Sequence, residues 1–150
     1  MDATTRLTAI EEIKQLKARY FLGVDTQDWD LFRREIFVED TSFQLSEFRE
    51  EPYRGMEEVL GMFREGLAGK YSVHHGHMPI IGIASDITAT GLWAMEDRIY
   101  LADSGAAQGT LVLHGFGHYR ETYVRMDAGW RIESIRLTRL RLETRTVAVP

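Results

Sequence analysis

Apolar residues return every three or four positions near the start of the chain and then change to strand-like spacing. Between Leu7 and Val24 this period predicts an amphipathic helix. Thr8, with Glu11 or Glu12 a turn later, resembles a capping start, so we expect the helix to begin there.

Two further helices and a short strand are predicted in the first half of the chain. Asp28 can cap a helix over Trp29–Phe37, which carries an apolar stripe. Alternating residues over Thr41–Leu45 predict a strand, and one apolar face predicts a helix over Gly55–Leu67.

After Tyr71 the chain is rich in Val, Ile, Thr, Tyr and Trp, which favour strands. We predict four long antiparallel strands, over Val73–Ile83, Ile87–Ala102, Thr110–Met126 and Trp130–Glu143. Helices followed by a sheet indicate an α+β fold in which the helices cover one sheet face. At 150 residues we expect a single domain over 1–150, with a core over about 7–143.

The composition removes several classes of function. A net charge of -5 supplies no basic field for nucleic acid. The absence of cysteine excludes disulfides, a thiolate nucleophile and cysteine-ligated metals. We find no apolar signal core and no stretch long enough to cross a membrane, so we expect a cytoplasmic protein whose partner is a small molecule or another copy of itself.

Two charged residues share strand faces with apolar neighbours. Asp97 lies on one face with Trp93 and Met95, where it is either at the wet rim or partly desolvated, and desolvation would raise its pKa. Arg139 on the last strand either points inward towards a carboxylate or anionic ligand, or lies at the edge with its charge in water.

Two glycines, Gly115 and Gly117, share a strand face with Tyr119. Their missing side chains either open a cavity or mark a bulge or sharp bend in the strand. Both alternatives stay open at the level of sequence.

The histidines fall into two groups, His74, His75 and His77 and then His114 and His118. A metal site would combine His75 and His77 with the second group, but no familiar ligand spacing is present, so we expect no metal. A second hypothesis is a general base oriented by Asp25, which follows the first helix. The third is that these side chains are hydrogen-bonded core or interface histidines.

Three motifs occur together in the chain: Gln15-Leu16-Lys17-Ala18-Arg19-Tyr20-Phe21 with Asp25 and Trp29, then His74-x-Gly76-His77-x-Pro79, then Ala89-Thr90-Gly91-x-Trp93 with Glu96-Asp97. Their order and spacing resemble the bile acid 7-alpha-dehydratase branch of the SnoaL-like, nuclear-transport-factor-2-like superfamily. The resemblance covers roughly Ile10 to Glu143.

The resemblance implies a curved antiparallel sheet wrapped around three N-terminal helices into a cone, a cystatin-like α+β barrel with a deep pocket. It implies catalytic roles for Tyr20, Asp25, His74 and Asp97, with Arg139 as a further pocket residue. The segment from Phe43 to Tyr53 and the Gly- and His-rich stretch from Leu113 to Tyr119 depart from the family pattern, which leaves the substrate open.

The mechanism we expect is acid–base chemistry without a cofactor. His74, held by Asp25, removes a carbon-bound proton, Tyr20 donates to the oxygen that gains charge, and a protonated Asp97 assists departure of a hydroxyl group. The expected enzyme is a dehydratase, a type of lyase.

The expected substrate is a bulky apolar compound, steroid-like, polycyclic or aromatic, which fits pocket residues Phe21, Trp93, Met95 and Tyr119. Alternatives are a ketosteroid-type isomerase, a carbon–carbon lyase and a non-catalytic small-molecule-binding protein. The exposed face of such a sheet usually needs a partner, so we expect a homodimer or homotrimer.

Overall fold

The computed structural model describes residues 1–45, 49–102 and 108–146, which form three helices and seven strands. Helix α1 spans Ala3–Thr26 and helix α3 spans Met56–Leu67. Between them, helix α2 (Trp29–Leu31) continues as a π-helical segment, Phe32–Ile36. None of the helices in the described ranges is both long and apolar enough to cross a membrane.

The strands follow the chain as β1 (Phe37–Leu45), β2 (Tyr53–Arg54), β3 (Lys70–Gly76), β4 (Ile80–Ile83), β5 (Thr88–Leu101), β6 (Leu111–Met126) and β7 (Gly129–Thr144). They form one sheet in the order β2-β1-β7-β6-β5-β3, and β4 pairs with β5 next to β3. The predicted first long strand is therefore two strands. Pro79, which has no N–H to donate, lies between them.

The long strands pair antiparallel, as predicted, and the sheet also contains one parallel pair. β1 pairs with β7 in parallel, with Ser42 opposite Ser134 and Leu45 opposite Leu137. A parallel pair needs a long connection, and the chain supplies one, because α3 and all the other strands lie between β1 and β7. The sheet is curved, mixed and unclosed, and the α+β fold with three helices on one face is as predicted.

Helix α1 begins five residues earlier than the predicted start at Thr8. Asp2 caps it, because its Oδ1 accepts from the backbone N–H groups of Thr4 at 2.9 Å and Thr5 at 3.0 Å. The first turn of the helix is exposed, so it carries no apolar period by which the sequence would reveal it.

The predicted cap of the second helix is confirmed. The Oδ1 of Asp28 accepts from the backbone N–H of Leu31 at 3.0 Å. The helix is shorter than predicted, because the backbone widens into the π-helical segment, and Phe37 already belongs to β1. Phe32 and Ile36, on that segment, are fully buried.

The core lies between the helices and the inner face of the sheet. The strand face of β5 that carries Trp93, Met95 and Asp97 points into the core. The odd-numbered residues from Ala89 to Asp97 are buried, and their neighbours on the strand are less buried. Helix α1 contributes apolar residues at its predicted spacing, among them Ile13, Leu16 and Val24. The candidate site lies in a cavity between α1, α3 and this face of the sheet.

Replacing Asp28 by alanine removes the cap of α2 and should lower the free energy of unfolding by about 1 kcal/mol. Asp30→Ala is the matched control, because Asp30 is exposed and pairs with Arg33 at the surface, an interaction worth a few tenths of a kcal/mol. Denaturant unfolding of the two variants measures the difference. Equal loss in both would contradict the capping role.

Candidate active site

A cavity of about 470 Å³ opens between α1, α3 and the inner face of the sheet. Most of its wall is apolar, formed by Val24, Phe43, Leu45, Met62, Phe63, Leu67, Ile99, Leu113 and Leu137. Five polar or charged residues that were predicted from the sequence also line it: Tyr20, His74, Asp97, Tyr119 and Arg139. The cavity can therefore hold an apolar molecule and present a few polar groups to it.

Asp25 and His74 are in direct contact at this wall. His74 Nδ1 lies 2.6 Å from Asp25 Oδ1, and the backbone N–H of His74 donates to Asp25 Oδ2 at 2.9 Å. Asp25 is on the last turn of α1 and His74 is on β3, so the pair joins helix to sheet. His75, the neighbour on β3, is exposed on the opposite side, as strand alternation requires.

Ser72 is a third member of this contact that was not predicted. Its Oγ donates to Asp25 Oδ1 at 2.8 Å, and the residue is buried. The sequence contained a usable signal, because Ser72 lies two residues before His74 and therefore on the same strand face. The Asp25 carboxylate thus accepts from the hydroxyl, from one backbone N–H and from the imidazole.

This arrangement determines which imidazole nitrogen is left for a ligand. With Nδ1–H donating to the carboxylate, the lone pair of Nε2 is the basic site.

Phe21 was predicted as a pocket residue, but it does not line the cavity. Its ring lies nearly parallel to that of His74, with ring centroids 6.5 Å apart, so it supports the imidazole from the side.

Asp97 and Arg139 form a buried two-pronged ion pair in the cavity wall. Arg139 Nη1 donates to Asp97 Oδ1 at 2.6 Å and Nη2 donates to Oδ2 at 2.7 Å. Of the two alternatives for Arg139, the structure shows the one in which the side chain points inward towards a carboxylate. Both carboxylate oxygens accept short hydrogen bonds from a cation, so Asp97 is present in the cavity wall as the partner of Arg139.

The two glycines of β6 have different roles. A Cβ at Gly115 would lie 2.0 Å from Arg139 Nη1 and 2.5 Å from Asp97 Oδ1, so this glycine makes room for the ion pair. A Cβ at Gly117 would lie 2.2 Å from the carbonyl oxygen of Thr138, beside a register shift between β6 and β7. Neither glycine lines the cavity: the space above Gly115 is filled by the ion pair, and Gly117 lies at the strand irregularity that the bulge alternative predicts.

Tyr20 and Tyr119 bring two phenol groups to the cavity from α1 and β6, with ring centroids 6.1 Å apart in an edge-on arrangement. Burial raises the pKa of Tyr20 well above its usual range, and Tyr119 raises it further. Burial and the Asp97 carboxylate likewise raise the pKa of Tyr119. Both phenols therefore stay protonated and are hydrogen-bond donors.

Two other predicted pocket residues lie behind the wall. Trp93 is buried and donates its indole N–H to the Tyr123 hydroxyl at 2.8 Å. Met95 is buried with its sulfur 3.9 Å from Arg139 Nη1. Neither side chain lines the cavity. Their strand face was predicted correctly, but the sheet curvature that separates cavity wall from core cannot be read from alternation.

The remaining histidines lie away from the cavity. His114 Nε2 is 2.7 Å from Glu96 Oε1, and Arg98 donates to the same oxygen at 2.7 Å. His75 and His77 are exposed. Across residues 1–45, 49–102 and 108–146, no group of three or more His, Asp or Glu side chains is placed to hold a metal ion.

Comparison with known proteins gives one family and one fold. A family profile described as a SnoaL-like domain matches residues 5–136. A solved structure of a Salmonella enterica protein of the nuclear transport factor 2-like superfamily has a TM-score of 0.75 at 18% identity, covering 89% of this chain and 92% of that one.

Two solved structures of similar fold have names that describe an activity. One is assigned as a scytalone dehydratase from Novosphingobium aromaticivorans, with a TM-score of 0.82 at 17% identity, covering 99% of this chain and 95% of that one. The other is a hexachlorocyclohexane dehydrochlorinase from Novosphingobium barchaimii, with a TM-score of 0.76 at 16% identity, covering 95% and 94%. At these identities the likeness establishes the fold.

Gly115→Ala should separate Asp97 from Arg139, because the new methyl group would occupy the position of Arg139 Nη1. Disrupting a buried ion pair typically costs about 3 kcal/mol of stability. Gly61→Ala is the control, since a Cβ there meets nothing within 4 Å and alanine favours the α3 helix. Thermal unfolding should show a large loss for the first variant and none for the second. Unchanged stability of Gly115→Ala would contradict the described packing.

Alkaline titration should separate the buried tyrosines from the others. Tyr20, Tyr119 and Tyr123 have a pKa raised by burial, whereas an unfolded phenol ionises near pH ~10. Above that pH the unfolded state has fewer bound protons, so the free energy of unfolding falls as pH rises. Absorbance of tyrosinate and circular dichroism, recorded together, should show these three residues of the six ionising only as the chain unfolds. Full ionisation of all six in the folded protein would refute the assignment.

Proposed function

Because the chain belongs to the SnoaL-like domain family, we propose that it is a cofactor-independent dehydratase acting on a bulky apolar molecule, steroid-like, polycyclic or aromatic, and related to the bile acid 7-alpha-dehydratase branch. The observation that carries the proposal is the 2.6 Å contact between His74 and Asp25 at the wall of an apolar cavity. A general base needs a fixed tautomer and access to substrate, and this contact supplies the first while the cavity supplies the second.

In the first step His74 Nε2 takes a proton from a substrate carbon next to a carbonyl or unsaturated system. The imidazolium that forms is stabilised by the Asp25 carboxylate, which is already held in position by Ser72 and the His74 backbone. No proton needs to move to Asp25. Proton transfer of this kind requires neither a metal nor a redox cofactor.

The electrons of the broken C–H bond move onto the substrate oxygen. Tyr20 and Tyr119, protonated and buried in the wall, are the donors for that developing charge. In a dry cavity such donors favour the charged transition state over the neutral substrate, which is how they accelerate the reaction.

The second step breaks the C–O bond of the leaving hydroxyl group. Since Arg139 occupies both oxygens of Asp97, we assign the proton for the leaving group to the imidazolium of His74. The hydroxyl leaves as water and His74 returns to its neutral form, so atoms and charge balance. This route requires the removed hydrogen and the hydroxyl to lie on the same side of the substrate.

The names of the similar structures support an elimination. A dehydratase removes water and a dehydrochlorinase removes hydrogen chloride, so both names describe loss of a hydrogen together with a leaving group. The volume of about 470 Å³ and the apolar wall favour a bulky hydrophobic substrate.

A ketosteroid-type isomerase is the second candidate, and one observation favours it. Isomerisation needs a base and donors for a developing oxyanion, but no acid for a leaving group. Asp97, the residue that was expected to be that acid, is instead paired with Arg139 in the structure. The two reactions share the first step and differ in the fate of the proton.

The test begins with a screen of hydroxylated and unsaturated 3-oxo steroids and aromatic analogues, with products identified by mass. Loss of water indicates the dehydratase, and an unchanged mass with a moved double bond indicates the isomerase. With the substrate found, His74→Ala should lower kcat by about 10²–10⁴-fold. Asp25→Asn should also lower kcat strongly, and Tyr20→Phe should do so more mildly, since it removes one of two donors.

His75→Ala is the matched control, because His75 is the exposed neighbour of His74 on β3 and should keep full activity. Melting temperatures of all four variants separate a chemical defect from an unfolding one. If His74→Ala turns over the substrate as fast as the parent protein, the proposed base is wrong. If the chain binds these compounds without converting any, it is a binding protein.

A further inference from the structure

A fully buried ion pair lies behind the two phenols of the cavity, and the proposed reaction does not use it directly. Lys17 Nζ is 2.5 Å from Glu121 Oε1, and both side chains are completely inaccessible to solvent. Lys17 lies on α1, one turn before Tyr20, and Glu121 lies on β6, two residues after Tyr119. Each charged residue is therefore near one cavity tyrosine along the chain.

The ammonium group also contacts the rings of both tyrosines. Its nitrogen is 3.8 Å from the ring centroid of Tyr20 and 3.9 Å from that of Tyr119. An ammonium has three N–H donors, so one can bind Glu121 while the other two face aromatic π systems. The cation thus fills the space between the two phenol rings and contacts a face of each.

Glu121 is itself held from the other side. The Tyr123 hydroxyl donates to Glu121 Oε2, and the indole N–H of Trp93 donates to the Tyr123 oxygen. The chain of contacts runs from Trp93 through Tyr123 and Glu121 to Lys17, and from there to the two cavity tyrosines. All of these groups are buried, so their positions are restricted by packing as well as by hydrogen bonds.

Stability alone is a weak reason for this arrangement. Burial lowers the pKa of Lys17 because it disfavours the ammonium, and Glu121 only opposes that effect. Replacing a buried ion pair by apolar side chains of similar volume is often neutral or stabilising. The pair is better explained by the two tyrosine rings that it contacts, both of which belong to residues of the cavity wall.

We infer that Lys17 and Glu121 are positioning residues that hold the Tyr20 and Tyr119 rings in the orientation in which both hydroxyl groups donate to one oxygen in the cavity. The inference rests on the proposed role of those phenols as donors to a developing oxyanion. Lys17 does not line the cavity and takes no part in proton transfer.

The test uses two ligands of nearly the same shape, 4-nitrophenolate and 4-nitrotoluene. Only the first presents an oxyanion to the tyrosines. The variant Lys17→Met/Glu121→Gln removes both charges and keeps an acceptor for Tyr123. We expect it to weaken 4-nitrophenolate binding about tenfold, below the ~10²–10³-fold effect of deleting a donor outright, because both donors remain but are less well held. Binding of 4-nitrotoluene should change less than twofold.

Lys14→Met is the matched control, with the same substitution one turn earlier on α1 at an exposed position, and should leave both affinities unchanged. If the double variant does not fold, Tyr123→Phe replaces it. That change removes the hydroxyl that donates to Glu121 and accepts from Trp93, and should cost about threefold in phenolate affinity, with 4-nitrotoluene unaffected.

Equal losses for both ligands would mean that the pair only supports packing, and an unchanged phenolate affinity would mean that it does not position the phenols. Either result overturns the inference. The proposed function fails separately, through the turnover of His74→Ala. The affinity for 4-nitrophenolate reports on the hydrogen bonds from Tyr20 and Tyr119, and the turnover rate reports on proton removal by His74.

Discussion

Asp25 connects the end of the long first helix to the edge strand that carries His74. Its carboxylate accepts from the Ser72 hydroxyl, from the His74 backbone N–H and from the imidazole, all within 2.6–2.9 Å. One group therefore sets the distance between helix and strand, the register of the strand against the helix, and the tautomer of the histidine. The cavity, the basic nitrogen and the packing of Phe21 against the imidazole all depend on this contact.

The same small core contains two buried ion pairs, and they differ in what they face. Asp97 and Arg139 are in the cavity wall, where they present a compact, internally neutralised pair to a ligand. Lys17 and Glu121 lie behind the wall, in contact with aromatic rings. Buried charges are costly unless they are paired in good geometry. Both pairs lie near Tyr20 and Tyr119, so the free-energy cost of burying charge falls around the cavity. Fixed polar groups at such a place can stabilise charge that develops in a reaction.

The glycines of β6 show how the sheet accommodates these groups. Any side chain at Gly115 would occupy the space of the Arg139 guanidinium, so the ion pair depends on a residue without a side chain on the adjacent strand. At Gly117 the close approach is to the backbone of β7, beside the register shift. The two glycines follow the same pattern in the sequence. They differ only in which atoms of the neighbouring strand lie close to them, side-chain atoms at Gly115 and backbone atoms at Gly117.

Local patterns determined much of this protein. Helical and strand periods located the helices, most of the strands and the inward face of β5, because those periods follow from backbone geometry within one element. They also put His74 and His75 on opposite faces, and the motif resemblance selected Asp25, His74, Asp97 and Arg139 before any contact was known. Only the tertiary structure decided the rest. Ser72 joins the site because α1 ends beside β3, and Asp97 is paired with a cation because Arg139 lies on a strand 42 residues later. Trp93 and Met95 lie behind the cavity wall because the sheet curves, and Phe21 lies outside the cavity because its ring packs beside that of His74. β1 runs parallel to β7 because the chain returns to it last. Such contacts join residues far apart in the chain, and no local period contains them.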